Sequence, residues 1–225
     1  MERDFSKGSI GKHIFRQAVP LIIAQLIQLL YNIVDRIYIG HLPGENGMAL
    51  TGIGLAFPVV SLITAFTNLF STGGAPLCSI ARGAGQKERA EQIIGNSAVL
   101  LFGTSVVIMI CCYLFKKPIL FAFGASETTW PYANLYLTYY LVGTVLNMMG
   151  TGMNSFITCQ GFPGIAMLTT VIGALLNLIL DPVLIFVFGM GIEGAAIATV
   201  IGQWVSMVIC MLLVFCGKHE VTVSF

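Results

Sequence analysis

Charge is what this sequence has least of. Only 9% of its 225 residues are Asp, Glu, Lys or Arg, where a soluble domain of this size carries about a quarter. The 11 basic residues nearly cancel the 10 acidic ones, leaving a net charge of +1, so there is no field of one sign to attract nucleic acid or an acidic partner. Histidine is also scarce, at three residues. None of the six cysteines (Cys78, Cys111, Cys112, Cys159, Cys210, Cys216) stands in a C-x-x-C spacing or beside a regularly placed histidine, which argues against a zinc or dithiol motif. They read as small hydrophobes within apolar runs. Neither a nucleophile paired with a base nor a metal-ligand spacing is visible, so the chain is not expected to be an enzyme or to need a cofactor. A soluble-domain linker, a low-complexity tract and a short-period repeat are missing as well.

What the chain has is apolar length. Hydrophobic residues make up 56% and the mean hydropathy is +0.89, more apolar surface than a soluble fold can hide. The start, MERDFSKGSIGKHIFRQ, is polar and of mixed charge. The run after it outlasts a signal-peptide core and has no small-residue cleavage site, which reads as a mature cytoplasmic start. A helix needs about 20 apolar residues to cross a bilayer. Polar interruptions divide the chain into six candidates near 14–39, 50–80, 93–115, 130–158, 164–188 and 192–216. Gly and Pro mark the joints at His41-Leu42-Pro43-Gly44, Gly83-Ala84-Gly85, Gly161-Phe162-Pro163-Gly164 and Gly189-Met190-Gly191. The expected fold is an all-α, six-transmembrane-helix bundle forming a single membrane lobe over 1–225. Alternate segments hold Arg3, Lys7, Lys12, Arg16, Arg82, Lys87, Arg89 and Lys218 on one side, against Arg36, Lys116 and Lys117 on the other. The richer side faces the cytoplasm, so both termini are expected there, in a multi-pass protein of the plasma (inner) membrane.

Ionisable groups inside hydrocarbon are costly and usually face a bundle interior. Glu193 begins the sixth predicted helix, where the macrodipole and interfacial water account for it. Asp35 lies near the outer end of the first, next to Arg36, which can snorkel to the surface. Asp181 has no such neighbour, for Leu180, Pro182, Val183, Leu184 and Ile185 surround it. Asn177 is one turn earlier on the same face. Pro182 has no N–H, so the Leu178 carbonyl loses its usual donor. At about 1.5 Å per residue, Asp35 lies roughly 7 Å inside the outer end of its helix, with Asp181 and Thr199 each roughly 10 Å inside theirs. Carboxylate, amide, hydroxyl and carbonyl oxygens at one depth make a hard donor set, suited to Na⁺ or a proton. Pro20 stands where a kink in the first helix would fall, or is simply a tolerated proline. Tyr132, Tyr136, Tyr139 and Tyr140 recur at helical spacing, and Gln25, Gln28, Asn68, Asn147, Asn154 and Gln203 read individually as interhelical hydrogen-bonding groups.

The run Asn32-Ile33-Val34-Asp35-Arg36-Ile37-Tyr38-Ile39-Gly40 resembles the first-helix signature of the multidrug and toxic compound extrusion (MATE) transporters. The stretch from Ser79 to Ala90 is similar to that family's loop between its second and third helices. Asn177 to Pro182, with Gly191 to Thr199, resembles its fifth and sixth helices. The resemblance implies a secondary antiporter that exports small organic, often cationic compounds in exchange for Na⁺ or H⁺. It further implies that Asp35, Asn177, Asp181 and Thr199 form the cation-coupling site, holding Na⁺ if the protein is sodium-coupled. Tyr136 and Asn154 would extend the network, and Pro20 would be the bend. The family has twelve helices in two lobes with a cavity between them, so this chain would be the N-terminal lobe. The expectation is a piece of a longer protein, the alternative being a half-size protein that pairs with a second six-helix lobe. Two other functions fit less well. A lipid-linked precursor flippase would line its cavity with cations, and a non-transporting structural or assembly subunit would use its polar groups only between helices.

Overall fold

The structure is a computed structural model in which residues 9–42 and 47–215 are described. Arg3, Lys7, Pro43, Gly44, Cys216 and Lys218 lie outside the described residues. Seven α-helices follow one another: α1 (Ile10–Gly40), α2 (Met48–Gly83), α3 (Lys87–Leu114), α4 (Lys116–Ala122), α5 (Trp130–Cys159), α6 (Pro163–Pro182) and α7 (Gly191–Phe215), with a π-helical segment, Val183–Val187, between the last two. Among the described residues five spans are long and apolar enough to cross a membrane: α1, α2, α3, α6 with its π segment, and α7 over Gly191–Leu212. The sixth long helix, α5, has 30 residues, about 45 Å at 1.5 Å per residue. Its tyrosines, threonines and asparagines make it more polar, and it packs against α2, α3, α4, α6 and α7. Two features go beyond the apolar runs. The polar stretch Lys87–Gln92 already belongs to α3, and a seven-residue helix, α4, occupies the connection before α5.

Glycine lets α5 pack closely. It packs against α2, α3 and α7, and a methyl group on Gly52 would come within 2.7 Å of Tyr132 Cβ. One on Gly143 would come within 2.9 Å of Val200 Cγ2, and one on Gly152 within 2.5 Å of Leu101 Cδ1. These contacts are closer than any Cβ tolerates. The predicted joints turn on glycines with positive φ: Gly85 at 74° between α2 and α3, and Gly161 at 87° between α5 and α6, a region only glycine enters freely.

Two apolar clusters divide the bundle along its length. One joins Ile39, Ile53, Ile63, Leu120, Leu137, Leu141, Ile185 and Ile192. The other joins Cys78, Ile94, Leu101, Met153, Phe156, Ala166 and Cys210. Asn177, Asp181 and Thr199 are buried but belong to neither. Of the six long helices, α1 stands furthest out. It packs mainly on α6, and its buried residues are Ala24, Asp35 and Ile39.

Candidate cation-coupling site

Pro182 determines how the backbone beside the site is wound. Without an N–H it cannot donate to Leu178, and immediately after it the chain winds as a π-helix, Val183–Val187. Phe188 N donates to Val183 O, five residues back, at 2.9 Å, and Met190 N to Leu184 O at 3.1 Å. A methyl group on Gly194 of α7 would approach the Leu184 carbonyl carbon to 2.8 Å, so α7 starts in direct backbone contact with this segment. Farther along, the two helices touch through bare backbone again. A Cβ on Gly202 would lie 2.8 Å from Gly173 O and 3.2 Å from Asn177 Cβ. These approaches bring Asn177 and Asp181 of α6 up to Thr199 of α7.

The side chains there are connected. Asn177 Nδ2 donates to Asp181 Oδ1 at 3.2 Å and to Thr199 Oγ1 at 3.3 Å. Thr199 Oγ1 donates in turn to Ala195 O at 3.0 Å. Asp181 is 0% exposed, Asn177 3% and Thr199 7%. Asp35, on α1, is also buried, and its charge is felt at Asp181. Among the described residues no hydrogen bond joins Asp35 to the other three. Arg36, its neighbour, is exposed and stacks over Phe57, 5.7 Å from the ring centre.

The oxygens outnumber the donors. Asp35 Oδ1, Asp181 Oδ2 and Asn177 Oδ1 are all buried without a hydrogen-bond partner. Burying an acceptor unsatisfied costs about 1–3 kcal/mol, and more for a charged one. Three such atoms in one region therefore form a strongly electron-rich set in which a small cation, or a proton on a carboxylate, would relieve the cost. Among the described residues no group of three or more His, Cys, Asp or Glu is assembled.

The other predicted residues are placed less directly. Tyr136 is buried, stacks on Tyr140 with ring centres 6.0 Å apart, and is within electrostatic reach of Asp35. Asn154 is turned toward α6. Its Nδ2 donates to Ala166 O and Thr170 Oγ1, both at 3.1 Å, and its Oδ1 accepts from Thr169 at 3.3 Å. It nevertheless lines the same groove as Asn177, Thr199, Gln28, Gln203 and Tyr31. Pro20 is half-buried within an α1 that continues from Ile10 to Gly40. Tyr31 was not singled out from the sequence. It lines that groove with Gln28 and lies near both carboxylates, and its position four residues before Asp35 on α1 was the available signal. Tyr140, which stacks on Tyr136, accepts from Asn147 Nδ2 at 3.3 Å.

Comparison with known proteins agrees with this architecture. A family model described as MatE matches residues 20–183. The multidrug export protein MepA of Staphylococcus haemolyticus is 28% identical over 221 residues, covering 98% of this chain and 48% of its own length. The chain thus spans about half the length of the curated relatives it matches. Among solved structures, an outward-facing multidrug resistance MATE family transporter of the MOP superfamily superposes with a TM-score of 0.90 at 28% identity, over 97% of this chain and 48% of that one. A MOP superfamily transporter from Pyrococcus furiosus, described as having a binding pocket of reverse polarity that suggests a different function, superposes equally well (0.90, 28%, 97% and 48%). With six long helices in the matching arrangement and the family model covering most of its length, this chain belongs to the MatE family of multi-pass membrane transporters.

Proposed function

We propose that this chain is the N-terminal lobe of a multidrug efflux antiporter, in which Asp35, Asn177, Asp181 and Thr199 bind the coupling ion, Na⁺ or H⁺. The observation that carries the reading is the set of buried, donorless oxygens on Asp35, Asp181 and Asn177. An entering cation favours the arrangement in which these oxygens converge. An organic cation favours the other arrangement, and transport follows from the competition of two ligands for different states. Tyr136 and Tyr31 border the carboxylates and tune the local field, Asn154 braces α5 against α6, and Pro20 supplies a weak point in α1. The whole protein has a second six-helix lobe, with the drug cavity between the two. Both ends of this segment face the cytoplasm across the plasma (inner) membrane.

The curated relatives' multidrug export supports an organic substrate. Fold alone does not choose one, because a transporter described as having a pocket of opposite polarity matches equally well. The sign of the interior favours cations, for among the described residues the buried side chains include two aspartates and no lysine or arginine. That is the reverse of what a flippase for a pyrophosphate-bearing lipid requires.

The test is made on the whole protein in liposomes. Asp181→Asn keeps the shape and removes the charge, and it is expected to abolish ion-driven drug movement while leaving the protein folded. Ion-dependent uptake and drug resistance that survive Asp181→Asn unchanged would overturn the assignment.

A further inference from the structure

A second polar cluster lies on the periphery, at the opposite end of the lobe from the α2–α3 turn. Lys116, half-buried at the start of α4, donates to Thr138 Oγ1 of α5 at 3.0 Å and sits 4.6 Å from the centre of the Tyr113 ring. Thr138 gives its own proton to Asn134 O at 2.6 Å. The side-chain Oδ1 of Asn134 is buried without a donor. Among the described residues the ammonium has no carboxylate partner. Of its three N–H donors, one goes to a hydroxyl and one faces a ring.

Lys116 directly follows Phe115 and stands one turn after Cys112, both of which line an apolar hollow that the lysine side chain itself does not line. Phe115, Pro118, Ile119 and Ala122 follow the i, i+3, i+4, i+7 pattern that places them on one face of α4. With Leu62 of α2 and Cys111 of α3 they line a concave space of about 510 Å³. Leu62, Cys111, Phe115, Pro118 and Ala122 are exposed on the outer surface of the bundle. Lys117, on the far side of α4, lies 5.8 Å from the rings of both Phe121 and Trp130, an aromatic and cationic combination typical of the bilayer interface.

We propose that Lys116 and the adjoining groove form a site for one anionic phospholipid, with the phosphate on the Lys116 ammonium and an acyl chain along Phe115, Pro118, Ile119 and Ala122. A phosphate offers only acceptors and so complements the unused donor, and at the interface an ion pair is screened less than in water. A zwitterionic headgroup carries its own cation beside the phosphate and gains less. The apolar hollow selects a lipid over free phosphate. This assignment does not depend on the cation-coupling reading.

Native mass spectrometry of the whole protein, titrated with phosphatidylglycerol or phosphatidylcholine of identical chains, tests it. One phosphatidylglycerol is expected to be retained with a preference of roughly fivefold, the worth of one lysine near a charged surface. Lys116→Gln removes that preference, and Lys116→Arg keeps it. Ala122→Phe, at an exposed position, weakens retention of phosphatidylglycerol with the charge intact, and this variant decides the matter if Lys116→Gln fails to fold. Equal retention of the two lipids, retention indifferent to both Lys116→Gln and Ala122→Phe, or displacement of the lipid by millimolar inorganic phosphate would each overturn the proposal.

Discussion

Asp181 offers one carboxylate oxygen to Asn177 and has no donor for the other, so its environment favours whatever positive charge can reach it. A ligand that binds only the folded state stabilises it by RT ln(1 + [L]/Kd), about 1.4 kcal/mol at ten times Kd. The melting temperature of the whole protein is therefore expected to rise with Na⁺ or with acidification. The rise should vanish in Asp181→Asn, and a titration followed by differential scanning fluorimetry reads it. Thr199→Val removes the hydroxyl that accepts from Asn177 at 3.3 Å, and is expected to cost about 1–2 kcal/mol and to weaken the same ion response without eliminating it. At this scale the sequence was most informative about charge. Two aspartates within apolar runs are visible because hydrocarbon penalises them, and Asn177 followed from a single helical turn. Tyr31 was harder to pick out, because neutral polar residues in a bundle interior are common and only packing tells which of them lie near a carboxylate. Asn154 illustrates the other side of the difficulty: its amide is fully engaged by Ala166, Thr169 and Thr170, a commitment no spacing reveals.

Between elements, the decisive contact is the crossing of α6 and α7 at Gly173 and Gly202. Gly202→Ala would place a Cβ 2.8 Å from the Gly173 carbonyl and force the helices apart. The expected cost is about 1–3 kcal/mol together with a weaker ion response, although no ionisable group is touched. Gly54→Ala is the control. It lies in α2 with nothing within 4 Å of an added Cβ, and should be neutral or stabilising by about 0.5–1 kcal/mol. Thermal melts of the two variants in parallel separate the contact from a general effect of alanine. The long helices were legible because a bilayer demands unbroken apolar length. The helix α4 was not, since seven residues are too few for such a window. Pro182 was recognisable as a break in the hydrogen-bond ladder, yet a proline leaves open whether the chain goes on as α, 3₁₀ or π helix, and the π winding of Val183–Val187 is not legible in the local sequence.

For the molecule as a whole, the positive residues predict a sidedness that can be measured directly. In a background free of reactive cysteine, Gln86→Cys in the α2–α3 turn is expected to react with an impermeant maleimide only from the cytoplasmic face. Glu127→Cys, before α5, is expected to react only from the opposite face. Gln86→Cys reacting only from the outer face and Glu127→Cys only from the cytoplasmic face would reverse the topology, and labelling of both from one side would mean that α3 does not cross. The burial of the helices adds a mechanical consequence. The trio of Asn177, Asp181 and Thr199 is fixed to a pair of helices joined backbone to backbone, whereas Asp35 is carried by a rod that has only three buried residues along its length. On the proposed cation-coupling reading, displacing that helix would withdraw Asp35 while Asn177, Asp181 and Thr199 stay with the α6–α7 pair. Loading an ion would then work as a latch, holding a loosely attached lever against a stiff frame.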